Sequence, residues 1–294
     1  MIQFLLMAIL ILIGYVIGFL NYRKIISIIN NFLFFVTVPI LIFLSILGLQ
    51  NVEEFLIMLL ISLIHILTML LGTYYISRTI LSNRIDRITM TIAISMPNTA
   101  YLAIPLSLII FGKSSPVIPY MTAFNLFLPP LLLYLSLTLG SSSGNRLLLR
   151  PVPHIATFII AITIKILIGQ FVIPIALSEI VNYMNYLSFI VLGGQLALVS
   201  TKDISNAKRV ILLASIAKYI ISPITALTLF SITTLYRDIS REYLDGYILQ
   251  SIMPPAINVI VISEVYRLNS KLSTLLLVVM TPISIVLSIL LKFI

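Results

Sequence analysis

Two stretches decide the fold: ISMPNTAYLAIPLSLIIFGKSS at Ile94–Ser115 and SIMPPAINVIVISEVYRLNSKL at Ser251–Leu272. Each carries a Met-Pro pair near the middle of an apolar segment, and Met96-Pro97 and Met253-Pro254 lie 157 residues apart. At the same spacing, each pair is followed by a short polar loop and a further apolar segment. This correspondence predicts a repeat of five membrane spans. Because five is odd, the second copy enters the membrane in the opposite orientation, as in the inverted repeats of secondary transporters.

The composition agrees with a membrane protein. The 294 residues are 60% apolar and 9% charged, with a mean hydropathy of +1.18, whereas globular domains contain about 25% charged residues. A span needs roughly 20 residues, so the chain has room for ten spans and none for a separate soluble domain. The net charge of +9 does not indicate nucleic-acid binding here, because most basic residues lie in short loops between apolar segments. With no cysteine, disulfides and thiolate metal sites are excluded, and we expect no metal or cofactor.

Charged clusters and Gly/Pro breaks divide the chain into ten apolar segments, the first of which we interpret as a retained span. We predict an all-α, multi-pass fold with a first five-helix repeat at 1–139, a short cytoplasmic linker at 140–151 and an inverted second repeat at 152–294. The predicted spans are Gln3–Leu20, Ile25–Leu49, Phe55–Ile76, Ile88–Phe111, Val117–Leu139, Val152–Gly169, Glu179–Val199, Val210–Leu235, Gly246–Leu268 and Leu272–Phe293.

The distribution of lysine and arginine predicts the orientation. Twelve basic residues, including Arg146 and Lys202, lie in alternate loops starting after the first span; four lie on the opposite side. Because basic residues concentrate in cytoplasmic loops, we expect a cell-membrane protein with both termini outside the cytoplasm and an even number of spans.

The prolines mark the predicted binding site. Proline has no N–H and clashes with the carbonyl four residues earlier, and non-helical backbone survives in a membrane only where it is buried or lines a cavity. Polar side chains stand beside both predicted breaks, in helices four and nine. We therefore predict a substrate site at the crossing of these helices, formed by Pro97, Asn98, Thr99, Pro254, Pro255 and Asn258, with Lys218 as electrostatic support.

Few ionisable residues lie within the spans, where each is a functional candidate. His65 and Lys218 are near mid-span, and no Asp or Glu is; Glu264 approaches the cytoplasmic end of the ninth span. Half-helix N-termini attract anions, so the site is expected to favour an anion. Lys218 could equally be a packing residue bonded to backbone carbonyls, and roles for His65 and Glu264 stay open.

At these residues the sequence resembles the auxin efflux carrier family, in a short prokaryotic or archaeal form. The resemblance is carried by MPNTAYLAIPL at Met96–Leu106, the Lys218–Pro223 run, FIVLGGQLA at Phe189–Ala197 and the residues from Gln250 onward. It implies crossed, broken helices four and nine, elevator-type alternating access, a homodimer and small organic-anion substrates. The long cytoplasmic loop of plant members is absent from this chain.

Several other functions are weighed against an anion exporter. The two histidines, His65 and His154, lie too far apart for a zinc-protease motif, and paired membrane carboxylates are missing, so we do not expect an enzyme. A proton or sodium antiporter usually has acidic residues at the crossover, and a channel suits paired breaks less well. The main prediction is an exporter of an auxin-like or dicarboxylate anion, and the alternative is a sodium-coupled organic-anion symporter of the bile-acid type.

Overall fold

The computed structural model describes residues 2–139, 149–169, 171–197 and 207–292. Across these ranges the chain is helical, and its strand-like pairing is limited to one isolated bridge between Pro97 and Pro255. Most of the predicted linker, at 140–148, lies outside the described residues. So do Arg146 and Lys202 of the charge count, and the predicted span ends at Val199 and Phe293.

The helices of the first half are α1 (Ile2–Phe19), α2 (Arg23–Phe32), α3 (Val38–Leu47), α4 (Val52–Ile80), α5 (Arg84–Ser95), α6 (Ile104–Phe111) and α7 (Ile118–Leu139). Those of the second half are α8 (Val152–Ile168), α9 (Ile175–Tyr186), α10 (Ser188–Leu196), α11 (Lys208–Ile216), α12 (Ser222–Thr234), α13 (Arg241–Ser251), α14 (Asn258–Val265) and α15 (Ser270–Leu291). Asparagines cap three of them at the N-terminus, since Asn51, Asn83 and Asn269 accept hydrogen bonds from first-turn amides of α4, α5 and α15.

Five helical segments are long and apolar enough to cross a membrane by themselves. They are Lys24–Leu47, Val52–Ile80, Ser115–Leu139, Lys208–Thr234 and Ser270–Leu291. Shorter apolar helices cover Gln3–Phe19, Thr99–Phe111 and Val152–Ile168. Together they make the chain a multi-pass, helical membrane protein.

Proline explains three local widenings of the helices. Turns of π-helix at Leu33–Thr37, Thr99–Ala103 and Ala217–Ile221 each end two residues before a proline, at Pro39, Pro105 and Pro223 respectively. Because the proline ring clashes with the carbonyl four residues earlier, the preceding turn opens in each case. Such π-turns are frequent at functional sites, and all three contribute residues discussed below.

The helices pack in two layers. In the first layer, α1 packs against α10 and α3 packs against α8, with α2 and α9 beside them. The second layer contains α4–α7 and α11–α15, in which α4 contacts both α5 and α7, and α14 contacts α15. Contacts between the layers run from α8 to α7 and from α10 to the π-turn at Thr99–Ala103. The interrupted helices therefore belong to the second layer and face the first.

Glycine allows the closest approach within the first layer. A Cβ added at Gly14 of α1 would lie 2.0 Å from the Ile190 carbonyl oxygen, and one at Gly193 of α10 would lie 2.0 Å from the Ile11 carbonyl oxygen. Small residues allow membrane helices to pack backbone against backbone. The glycine pair Gly14 and Gly18 in the first span thus serves packing within this chain.

Candidate functional site at the paired helix breaks

Two helices are interrupted deep in the second layer, and their interruptions contact each other. α5 ends at Ser95, and helical structure resumes at the π-turn starting at Thr99; α13 ends at Ser251 and α14 begins at Asn258. The backbone amide of Asn98 donates to the Pro254 carbonyl at 2.7 Å, and the backbone amide of Ala256 donates to the Met96 carbonyl at 2.8 Å. Each break thus supplies the hydrogen-bond partner that the other has lost.

This pairing explains how non-helical backbone is tolerated here. The residues Met96, Pro97, Met253, Pro254 and Pro255 are all buried, and an unsatisfied backbone group in an apolar environment is costly. The antiparallel bridge between Pro97 and Pro255 joins the two interrupted helices through their backbones. Three of the predicted site residues, Pro97, Pro254 and Pro255, therefore form the junction itself.

A small cavity lies beside this junction, between the two layers. Its volume is about 20 Å³, which is room for about one water molecule or one bare ion. Phe34 and Val38 of the first layer form one wall, and Phe124 of α7 contributes from the second. The polar residues that line it are Asn98, Thr99, Tyr101, Asn125, His154 and Asn258. The structure thus brings Asn98, Thr99 and Asn258 of the predicted site together in one cavity.

Asn98 has a divided role. Its Oδ1 accepts from the Tyr101 amide at 3.3 Å and caps the π-turn, while its buried Nδ2 has no hydrogen-bond partner among the described residues. A buried donor without a partner is unfavourable, and this one belongs to a residue that lines the cavity. Asn98 is therefore arranged to donate to an oxygen of a bound molecule.

The remaining polar groups of the cavity offer both donors and acceptors. α14 begins at Asn258 without a side-chain cap. The amides of Val259 and Ile260 already donate to the carbonyls of Ala256 and Ile257 at 3.0 and 3.1 Å, which leaves the backbone amide of Asn258 to serve an anion. The Nδ2 of Asn125 donates to the Met121 carbonyl at 2.9 Å, which leaves its Oδ1 as an acceptor. Amide and hydroxyl oxygens such as those of Asn125 and Thr99 are suitable ligands for a hard cation.

His154 of α8 is a cavity residue that sequence reasoning missed, since it was considered there only as a possible zinc ligand. Its side chain is buried and its ring packs on Phe34, with 4.4 Å between the ring centroids. The backbones of Phe34 and Arg150 lie near its nitrogens, but neither nitrogen reaches hydrogen-bond geometry. The sequence did contain one signal, a histidine inside the predicted sixth span, although not its burial beside Phe34.

Lys218 lies apart from the cavity lining. It belongs to the π-turn between α11 and α12, is 1% exposed, and donates from Nζ to the Ile94 carbonyl at 3.3 Å. Ile94 is in the last turn of α5, before the break. Of the two roles left open by the sequence, the bond to a backbone carbonyl is present, and a role in substrate binding stays a prediction.

His65 anchors a second polar cluster around the end of α13. Ser222 Oγ donates to the Ser251 carbonyl at 2.8 Å and lies 3.2 Å from His65 Nε2. Because Ser222 has one proton to donate, Nε2 of His65 is the donor in the second contact. Tyr120 and Tyr247 pack edge-on against the imidazole. His65 thus holds the side chain that satisfies a carbonyl at the break.

Glu264 takes no part in these contacts. It is exposed near the end of α14 and is not among the residues that line the cavity. Lys165, at the end of α8, is buried and donates to the Leu47 carbonyl at 3.0 Å, so it ties α8 to α3.

Comparison with known proteins finds a match to a different family from the one that the sequence resembles, over part of the chain. The model of the Sodium Bile acid symporter family matches residues 187–294, a range that contains α10–α15, Lys218 and the break at Pro254-Pro255. No curated protein matches the chain. The proposed resemblance to auxin efflux carriers is therefore wrong, and the homodimer that it implied stays a prediction.

The physical reason for the error is that the Met-Pro motif marks a break in a helix, which is a feature of the backbone. Broken helices near mid-membrane recur in several classes of secondary transporter. The pairs Met96-Pro97 and Met253-Pro254 therefore indicate broken helices and do not identify a family. The family match indicates a transporter and supports sodium coupling better than auxin efflux.

Proposed function

We propose that this protein is a secondary transporter that carries a small organic anion together with sodium. The observation that carries the proposal is the pair of contacting helix breaks beside a small polar cavity. The match of residues 187–294 to the Sodium Bile acid symporter family supports coupling to sodium. The substrate class is inferred from the donors that face the cavity and from the family description.

The ligand positions follow from the chemistry of the cavity. A carboxylate of the substrate accepts from Asn98 Nδ2 and from the backbone amide of Asn258 at the start of α14, where the helix dipole favours negative charge. Sodium binds the oxygens of Asn125, Thr99 or Asn258. Because Asn98 and Asn258 stand on opposite breaks, the carboxylate would bridge the two interrupted helices.

The transport cycle requires the two layers to move relative to each other. At about 20 Å³ the cavity is too small for an organic anion, so we propose that this conformation is closed around the site. The second layer carries both breaks, and its displacement against the first layer would expose the site to alternate sides of the membrane. This is elevator-type alternating access.

The proposed architecture has ten spans in two inverted repeats, with both termini outside the cytoplasm. One contact supports the repeat: His65 and Ser222, whose side chains contact each other, are separated by 157 residues, the same offset that relates the two Met-Pro pairs. Residues related by a two-fold axis can meet only at that axis. The axis of the repeat would therefore pass between α4 and α12, close to both breaks.

The proposal is tested with purified protein in liposomes. Uptake of radiolabelled carboxylates, from small mono- and dicarboxylates to a bile acid, is measured with an inward sodium gradient and with choline in its place. We expect at least one carboxylate to accumulate only with the sodium gradient. Equal uptake in choline would instead support potential-driven transport of the anion alone, and silence across the panel would contradict the substrate class.

A further inference from the structure

Lys218 is a buried lysine that forms no ion pair with a carboxylate of the described residues. Its side chain is 1% exposed, and the ion pairs formed by the described residues are Lys113–Glu242 and Arg237–Glu53, neither of which involves it. There is no acidic residue within α11, α12 or the π-turn between them. A protonated Lys218 therefore depends on groups other than a carboxylate side chain of the described residues.

The end of α5 supplies such groups. Pro97 cannot donate to the carbonyl of Ala93, and the Asn98 amide is bonded to Pro254 and is lost to Ile94. The last carbonyls of a helix carry partial negative charge. The Lys218 ammonium, 3.3 Å from the Ile94 oxygen, thus lies where backbone oxygens and the helix dipole both favour a cation.

The second break shows that a carbonyl in this position does not need a charged partner. The Ser251 carbonyl lies 157 residues after Ile94 in the chain, and it accepts from the neutral hydroxyl of Ser222 at 2.8 Å. The next carbonyl, of Ile252, accepts from Ser284 Oγ at 2.7 Å. Hydroxyl groups satisfy one break and an ammonium the other, so hydrogen bonding alone does not explain the lysine.

We propose that the Lys218 ammonium is a resident cation that fills a sodium-like position at the end of α5, so that this chain binds one fewer sodium ion than it would with a neutral residue there. Unwound carbonyls and half-helix C-termini are the groups that coordinate sodium in broken-helix transporters. An ammonium and a sodium ion have the same charge and cannot share that position. This inference refines the coupling in the proposed function, and it leaves the cavity beside Asn98 available to a transported ion.

The test compares two substitutions. Lys218→Ser shortens the side chain, removes the charge and leaves a hydroxyl oxygen, which opens a cation position among the carbonyls. Lys218→Met also removes the charge but fills the same space with an apolar chain. The melting temperature of each purified variant is measured in 150 mM sodium chloride and in 150 mM choline chloride, with the unaltered protein alongside.

We expect Lys218→Ser to gain about 2–4 °C in melting temperature from sodium beyond the gain of the unaltered protein, and Lys218→Met to gain nothing extra. The same response in both variants, or in neither, would overturn the proposal. If Lys218→Ser is unfolded in choline, its monodisperse fraction in sodium decides: recovery supports a sodium site, and no recovery refutes it. The melting-temperature test needs no transport substrate. Its result can therefore be interpreted even if the proposed transport function is wrong.

Discussion

Asn98 concentrates the chemistry of the site in one side chain. Its Oδ1 caps the π-turn by accepting from the Tyr101 amide, and its Nδ2 finds no acceptor in the part of the chain that the structure describes. These two functions use different atoms, so a substitution can separate them. Aspartate keeps the acceptor and removes the donor, whereas alanine removes both.

We predict that Asn98→Asp folds but loses anion transport, because it places negative charge where the carboxylate binds. Asn98→Ala should also lose transport and in addition about 1 kcal/mol of stability with the cap. The measurements are carboxylate uptake and melting temperature. Thr122→Val is the matched control, since the buried Thr122 hydroxyl has no partner within residues 2–139, 149–169, 171–197 and 207–292 and Thr122 lies outside the cavity lining; this variant should transport normally. Normal uptake by Asn98→Asp would remove this residue from the site.

Asn258 provides a second test from the opposite break. We predict that Asn258→Ala abolishes transport while the protein remains folded, because Asn258 lines the cavity at the start of α14 and has no capping bond to lose. Uptake at the unaltered rate, with an unchanged melting temperature, would contradict its assignment to the site.

At the scale of elements, the close packing of α1 on α10 depends on glycine. We predict that Gly193→Ala lowers the stability by about 1–3 kcal/mol, because the added Cβ would lie 2.0 Å from the Ile11 carbonyl oxygen. Gly72→Ala in α4 is the control: nothing lies within 4 Å of its added Cβ, and alanine favours the helix by about 1 kcal/mol. Melting temperatures that change equally would contradict the packing described.

The elements also show how far sequence reasoning reaches. The positions of the breaks can be predicted from local chemistry, since Pro97 and Pro254 lack a backbone N–H whatever the tertiary structure. The hydrogen-bond partners of the breaks cannot be predicted in this way, because the backbone bond from Asn98 to Pro254 joins residues far apart in sequence. The Ile94 carbonyl that meets Lys218 and the position of His154 beside Phe34 were hidden for the same reason. Hydropathy indicated ten spans, yet the packed helices are shorter than a span where prolines interrupt them.

At the scale of the whole molecule, orientation can be tested simply because the chain contains no cysteine. Ser82, between α4 and α5, and Asp238, between α12 and α13, are both exposed. We predict that a membrane-impermeant thiol reagent labels Asp238→Cys from outside intact cells and labels Ser82→Cys only after permeabilisation. The reverse pattern would place both termini in the cytoplasm.

Coupling between the anion and sodium is the central claim about the whole molecule. It is measured most directly as ²²Na⁺ uptake into proteoliposomes at zero membrane potential, with and without a transported carboxylate outside. We predict that the carboxylate stimulates ²²Na⁺ entry in the unaltered protein and leaves it unchanged in Asn98→Ala. A carboxylate that enters the liposomes without stimulating ²²Na⁺ entry would contradict the account.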